Sequence, residues 1–171
     1  MSSSPVKISQ SRLGFHYYPD TNHYQEGDLR KWLPELKSLG AAWLTLFAPT
    51  DQAIPETFIR GLLDARVEPI LHFHLPFTTT FNNDSLGLLL RSYAKWGIRY
   101  VALFDRPNLR SSWSAADWAQ DDLVERFIDI YLPLASAVLD AGLQPVFPPL
   151  EPGGDYWDTA FLRAALQGIK R

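Results

Sequence analysis

The sequence has 171 residues, of which 46% are hydrophobic and 20% charged, and its formal net charge is −3. These values fit one globular domain that can bury a core, and the negative charge argues against nucleic-acid and anionic-membrane partners, which require a basic surface. The chain contains no cysteine, which excludes disulfides and thiolate metal sites and leaves the cellular compartment open.

Residues 1–11 are predicted to form a polar lead-in to a single domain that covers residues 12–171. The segment MSSSPVKISQS contains no apolar stretch of the kind that a secretory signal needs. The chain also has no run of about 18 apolar residues, so no transmembrane segment is predicted. The localisation is therefore left unknown.

The domain repeats a unit of helix, short turn, apolar strand and proline. The strand LGFHYYP opens the series, and four further units end at Pro49, Pro76, Pro107 and Pro149. Proline has no N–H to donate, so it ends the pairing of each strand. The predicted strands lie near residues 13–18, 42–47, 68–74, 99–104 and 143–147.

Helices are predicted between the strands because apolar side chains recur there at intervals of three and four residues. Asp28 is a predicted N-cap, and Pro133 is expected to kink the fourth helix or to mark a turn within it. The left-handed residues expected just past helix ends are Gly40, Gly97 and Gly142. The predicted helices lie near residues 28–39, 55–65, 84–96, 120–141 and 157–169.

Alternating strands and helices predict an α/β fold of about five parallel βα units. Two architectures fit: part of a TIM-type (βα)8 barrel, which usually needs about 250 residues, and a doubly wound, flavodoxin-like open sheet. In the third strand Leu71, Phe73 and Leu75 form an apolar face, opposite His72 and His74. A doubly wound sheet needs two apolar faces, so the barrel type is favoured. A complete barrel would require a missing C-terminal half or self-association.

Histidines at the ends of the first and third strands are candidates for a site. His72 and His74 point the same way because they are two residues apart, and His16 ends the first strand close to Tyr18. Such imidazoles suit a metal-dependent hydrolase with His16 as a third ligand, or they donate hydrogen bonds to the hydroxyls of a sugar. Because no carboxylate clearly occupies a matching strand end, neither a metal nor a cofactor is predicted.

The loop FDRPN after the fourth strand supplies further candidates. If His72 and His74 of the third strand face a pocket, the alternation of side chains along the fourth strand places Arg106 in that pocket and turns Asp105 away from it. Arg106 can bind a carboxylate or phosphate but cannot serve as a general acid near neutral pH. Its alternative role is a structural salt bridge with a loop carboxylate. Farther along, Trp113 would either stack on a sugar or anchor its own loop.

Glu151 and Asp105 are the candidate catalytic carboxylates. Glu151 lies in PPLEPGG, after the fifth strand, and loops after strands carry the chemistry of barrels. A lone loop carboxylate is nevertheless more often simply solvated. Hydrolysis of a glycosidic bond requires two carboxyl groups about 5 to 9.5 Å apart across the sugar, a distance that sequence does not reveal.

Four segments resemble the N-terminal half of a clan-A glycoside hydrolase barrel, a group that includes cellulase- and xylosidase-like enzymes. They are LGFHYYP, LKSLGAAWLTLF, YVALFDRPNLRSSW and GGDYWDTAFLRAALQG. The resemblance implies a barrel fold and a sugar groove. Members of this family carry the acid/base Glu where Arg106 stands, preceded by Asn where Asp105 stands, and Pro107 and Asn108 match their loop. Their nucleophile, a Glu after strand seven, would lie beyond the end of this sequence.

We therefore predict a glycoside hydrolase-like domain that acts on or binds carbohydrate and in which the acid/base Glu is substituted. The first alternative is a non-catalytic, glycan-binding domain, and the second is a metal-dependent hydrolase that uses His72 and His74. The predicted substrate-binding residues are His16, Tyr18, His72, His74, Arg106, Asn108 and Trp113.

Overall fold

The computed structural model describes residues 11–77 and 83–170, which contain five strands and six α-helices. The strands are Gly14–His16 (β1), Trp43–Phe47 (β2), Glu68–His72 (β3), Tyr100–Ala102 (β4) and Gln144–Val146 (β5). The helices are Glu26–Ser38 (α1), Glu56–Asp64 (α2), Asn83–Trp96 (α3), Ala115–Trp118 (α4), Leu123–Asp140 (α5) and Asp158–Ile169 (α6). Each predicted strand and helix is present, and the short α4 is additional. The predicted lead-in lies outside the described residues, except for Ser11.

The five strands form one parallel sheet in the sequential order β1-β2-β3-β4-β5, which confirms the predicted βα units. Right-handed connections between adjacent parallel strands place successive helices on the same face of a sheet. A doubly wound sheet instead reverses its strand order at a switch point, and the described strands show no reversal. Within the described residues the sheet is open, with β1 and β5 at its edges.

One face of the sheet is buried under the helices and the other is partly exposed. In β2, Leu44 and Leu46 are 1% and 0% exposed, whereas Thr45 between them is half-buried. The segment that contains β3 repeats this pattern, since Phe73 is fully buried and His74 is exposed. Full burial of a leucine or phenylalanine side chain contributes about 1.5–3 kcal/mol, so the helix-covered face supplies the core. The opposite face is called the open face below.

The ends of the helices follow the predictions in part. Gly40, Gly97 and Gly142 have φ angles of +69°, +102° and +83°, as expected for residues that end a helix in the left-handed region. The cap predicted at Asp28 is wrong, because α1 begins at Glu26 and Asp28 lies within its first turn. Gln25 is its N-cap, and the Asp28 carboxylate accepts a hydrogen bond from the Gln25 N–H at 3.1 Å.

Helix α5 has 18 residues and continues through Pro133 to Asp140, so no turn interrupts it at the proline. Its buried side chains include Phe127, Tyr131 and Val138, which pack on the sheet and on α6 as part of the core. No helix in the described part of the chain, α5 included, is both long and apolar enough to cross a membrane.

Candidate functional site

A pocket of about 490 Å³ lies on the open face, at the end of the sheet where the strands terminate. Because parallel strands end at the same edge, the loops that follow them converge there. The pocket is lined by His16, Tyr17, Tyr18, Pro19, Thr45, Phe47, His72, His74, Asp105, Arg106, Pro149 and Leu150. We call it the C-terminal pocket. It contains all the predicted substrate-binding residues except Asn108 and Trp113.

His16 and Tyr18 form the wall of the C-terminal pocket on the β1 side. The ring of Tyr18 stacks on His23, with 3.8 Å between the ring centroids and 13° between the planes. The edge of Tyr18 also contacts Trp32 at 5.9 Å. These contacts hold the Tyr18 ring in place, while His16 at the end of β1 is exposed to solvent.

His72 and His74 lie side by side at the end of β3, with 4.5 Å between their ring centroids. His72 is buried, and its Nε2 donates a hydrogen bond to the carbonyl oxygen of Phe104 at 2.9 Å. Burial lowers the pKa of His72 below its usual value, although this hydrogen bond opposes the shift. Partial burial also lowers the pKa of His74, and Asp105 opposes that shift. Both imidazoles are therefore mostly neutral at pH 7.

Asp105 faces the pocket, so the prediction that turned it away is wrong. Strand β4 ends two residues before Phe104, and beyond that point Leu103 and Phe104 are both fully buried. The alternation of a strand therefore stops before the loop begins. Phe104 packs on Phe127 of α5, and Asp105 consequently enters the pocket, where its Oδ1 lies 3.9 Å from Nε2 of His72.

Arg106 connects the two candidate catalytic carboxylates. Its Nε donates to Oδ2 of Asp105 at 2.9 Å, and its Nη1 donates to Oε2 of Glu151 at 3.3 Å. These contacts, first of all the hydrogen bond to Asp105, raise the pKa of Arg106. Because the Arg106 side chain is 48% exposed, each ion pair contributes no more than about 1 kcal/mol to stability. The arrangement agrees with the salt-bridge alternative for Arg106.

The backbone of Arg106 adopts a left-handed conformation, with φ of +41°. A residue with a side chain pays about 1–2 kcal/mol for such a conformation, so other contacts must hold it. The N–H of Arg106 donates to the carbonyl of Pro149 at 3.1 Å, and its own carbonyl accepts from Oγ of Ser112 at 2.9 Å. The position of the guanidinium is therefore determined by the surrounding loops.

Asn108 and Trp113 lie outside the C-terminal pocket. Asn108 is fully buried, and its Nδ2 donates to the carbonyls of Glu151 at 2.8 Å and Tyr156 at 3.1 Å. Its Oδ1 accepts from the Glu151 N–H at 2.9 Å, so the amide is engaged with the protein itself. Trp113 stacks on Phe77 with 4.5 Å between centroids. Both residues anchor loops, and neither lines the C-terminal pocket.

Thr45 and Phe47 line the pocket although they were not predicted to do so. The parallel register pairs Thr45 with Ile70 and Phe47 with His72, and the Phe47 ring lies 5.0 Å from that of His74. The alternation in WLTLF carries the signal, because it assigns these residues to the same face as the two histidines. Pro149 and Leu150 follow the end of β5, where no such alternation exists.

The C-terminal pocket thus combines neutral imidazoles, aromatic rings and an arginine held between two carboxylates. These groups can donate and accept hydrogen bonds and can stack on a flat ligand. His72, His74 and Asp105 also offer ligand atoms that lie within 4.8 Å of one another, which is a spacing compatible with a metal ion. In comparisons with known proteins, the sequence matches no protein-family model and no curated protein.

Proposed function

We propose that the C-terminal pocket binds carbohydrate and that the chain does not cleave the bound glycan by the mechanism that uses two carboxyl groups. The observation that carries the proposal is the ionic row Asp105–Arg106–Glu151, of which Asp105 and Arg106 line a pocket that also contains Tyr18 and His74. Glu151 does not line this pocket and contacts it through its ion pair with Arg106. The same pocket is lined by residues at or beyond the ends of all five strands, and the resemblance to clan-A glycosidase barrels implies a sugar groove.

The pocket has the two kinds of group that recognise a sugar. A sugar presents hydroxyls that need directional donors and acceptors, and C–H faces that pack on aromatic rings. Arg106, Asp105 and His74 supply charged and neutral hydrogen-bonding groups, and hydrogen bonds to charged groups contribute about 1.5–3 kcal/mol each. Tyr18 supplies an aromatic surface, and because its ring already stacks on that of His23, it loses little conformational entropy on binding.

The position of Arg106 argues against hydrolysis. Cleavage by two carboxyl groups requires one of them to protonate the leaving oxygen. The guanidinium lies between Asp105 and Glu151 and donates to one oxygen of each, so both carboxyl groups are engaged in ion pairs within the protein. Arg106 itself does not release a proton near neutral pH.

Binding is tested by titrating a panel of plant and bacterial oligosaccharides into the chain in a calorimeter. We expect saturable binding of at least one oligosaccharide, and we expect Arg106→Gln to weaken it by about tenfold or more because charged hydrogen bonds are lost. Arg60→Gln is the matched control, since Arg60 is an exposed arginine that pairs with Glu56 at 2.6 Å on α2. A panel without any binding, or equal weakening by both variants, would contradict the proposal.

Cleavage is tested by mass spectrometry of the same oligosaccharides after a day with the chain. We expect their masses to stay unchanged. Shortened products that disappear in Glu151→Ala would instead identify a hydrolase in which Glu151 has been recruited, and they would overturn the non-catalytic part of the proposal.

A further inference from the structure

His72, His74 and Asp105 form a three-residue cluster on the floor of the C-terminal pocket. One ligand atom of each residue lies within 4.8 Å of those of the other two. The parallel pairing of β3 with β4 brings them together, because it sets His72 beside Ala102, three residues before Asp105. We propose that these three side chains bind one divalent transition-metal ion of the Zn²⁺ type, with water completing its coordination. This inference does not depend on the carbohydrate proposal.

The environment of His72 is that of a metal-ligating histidine. Such a histidine usually donates the N–H of its second ring nitrogen to a backbone carbonyl or carboxylate, which fixes the tautomer and the ring orientation. His72 makes this bond, because its Nε2 donates to the carbonyl of Phe104 at 2.9 Å. In this tautomer Nδ1 carries the free lone pair, which is the form of imidazole that binds a metal.

Asp105 also accepts a hydrogen bond from a group outside the cluster. Ligating carboxylates are themselves commonly hydrogen-bonded by a neighbouring group, and Oδ2 of Asp105 accepts from Nε of Arg106 at 2.9 Å. Its other oxygen, Oδ1, lies 3.9 Å from Nε2 of His72, so Oδ1 is the oxygen on the side of the His72 ring.

The ligand types select the class of metal. Two imidazoles and one carboxylate suit Zn²⁺, Co²⁺ or Fe²⁺, whereas Ca²⁺ and Mg²⁺ prefer ligands that are all oxygen. Bond lengths near 2.1 Å place tetrahedral ligand atoms about 3.4 Å apart, so the widest separation in the cluster has to shorten by roughly 1.4 Å. His74 can supply this movement because it is exposed, while His72 is held by its hydrogen bond.

The test is a calorimetric titration of the full chain with ZnCl₂, without sugar, after removal of bound metal with a chelator. We expect one site per chain, and we expect His74→Ala and Asp105→Asn each to weaken binding at least tenfold. Both substitutions spare the buried His72, and circular dichroism verifies that the variants fold. Asp122→Asn is the matched control, because Asp122 also accepts a hydrogen bond from an arginine Nε, that of Arg126 at 2.9 Å, but lies outside the cluster. Its affinity should be unchanged.

A titration without a one-to-one site, or an equal loss of affinity in Asp122→Asn, would overturn the inference. Loading with Co²⁺ adds a direct readout, because the visible absorption bands of Co²⁺ report its ligands. Asp105→Asn should alter these bands, and unaltered bands would show that Asp105 is not a ligand. A chain that binds Zn²⁺ but no oligosaccharide would support this inference and refute the carbohydrate proposal. A chain that binds an oligosaccharide but no Zn²⁺ would support the carbohydrate proposal and refute this inference.

Discussion

Asn108 joins the loops after β4 and β5, which carry Arg106 and its ion-pair partner Glu151. Its amide makes three hydrogen bonds to the backbone of Glu151 and Tyr156. The Cβ that Gly154 lacks would lie 2.5 Å from Nδ2 of Asn108, so the loop after β5 passes close to this amide. The geometry of the ionic row at the pocket therefore depends on a residue that does not line it.

Asn108→Ala should lower the free energy of unfolding by about 3 kcal/mol, because it removes three hydrogen bonds made by a fully buried amide to partly buried backbone groups of Glu151 and Tyr156, and each such bond contributes about 0.5–1.5 kcal/mol. Urea denaturation followed by circular dichroism measures this change. Asn22→Ala, at an exposed asparagine, should change the value by less than about 0.5 kcal/mol. A loss below about 1 kcal/mol in Asn108→Ala would mean that the amide does not hold the two loops together.

The sequence predicted the residues of the site within strands better than those beyond strand ends. His72 and His74 were assigned to the pocket because alternation is a local property of an extended chain. Asp105 was assigned to the wrong side, because the burial of Phe104 against α5 is a tertiary contact that no local pattern reveals. The same reason applies to Asn108, whose partners are more than forty residues away along the chain.

Among the structural elements, helix α3 ends with a turn that only glycine accommodates easily. Gly97 has a φ of +102°, and a Cβ at this position would lie 3.1 Å from Cδ1 of Leu63 at the end of α2. Gly27, in the first turn of α1, has no atom within 4 Å of the corresponding position and no positive φ. A comparison of the two glycines therefore distinguishes a requirement for a positive φ, at Gly97, from a position where a small residue merely happens to stand, at Gly27.

Gly97→Ala should destabilise the chain by at least about 1 kcal/mol, because a side chain disfavours the left-handed region. Gly27→Ala should be neutral or should stabilise by up to about 1 kcal/mol, since alanine has the higher helix propensity. Thermal unfolding of both variants under identical conditions gives the comparison. Equal shifts in the two melting temperatures would refute the conformational explanation for Gly97.

The positions of the strands and helices could be predicted from local sequence patterns. The alternation that includes Leu44 and Leu46, for example, indicates a strand whatever the rest of the fold is. Helix α4 was not predicted, since four residues are too few for apolar spacing to show. Its signal is a cap instead: Oγ of Ser114 accepts from the N–H of Asp117 at 3.1 Å. A serine followed three residues later by an acidic residue is typical of a helix start.

At the scale of the whole molecule, tyrosine side chains connect the core to the loops around the pocket. The hydroxyl of Tyr24 donates to the carbonyl of Phe47 at 2.7 Å, and that of Tyr17 donates to the carbonyl of His23 at 2.9 Å. The hydroxyl of Tyr93 accepts from the N–H of Ile54 at 2.8 Å. Tyr24 and Tyr93 are buried and Tyr17 is partly buried, and each of these hydrogen bonds fixes a loop to the rest of the fold.

These phenols predict how stability changes with pH. Burial raises the pKa of Tyr17, Tyr24 and Tyr131 above the usual value, and it raises the pKa of Tyr93 to about 12. In the unfolded chain tyrosine ionises near pH 10, about where its ordinary pKa lies. Above that pH the unfolded state loses protons that the folded state retains, so alkali favours unfolding. The stabilisation is fully present below about pH 10 and is lost as the pH rises towards 12.

Urea denaturation between pH 8 and pH 12 measures this dependence. The free energy of unfolding should be level up to about pH 9 and should then fall, with Tyr93 alone contributing up to about 1.4 kcal/mol per pH unit. Tyr93→Phe removes a hydrogen bond at every pH, so it should lower the whole curve, but its slope above pH 10 should be shallower than that of the unchanged chain. If instead the absorbance of all seven tyrosines titrates near pH 10 while circular dichroism shows a folded chain, the buried phenols do not couple alkaline ionisation to unfolding.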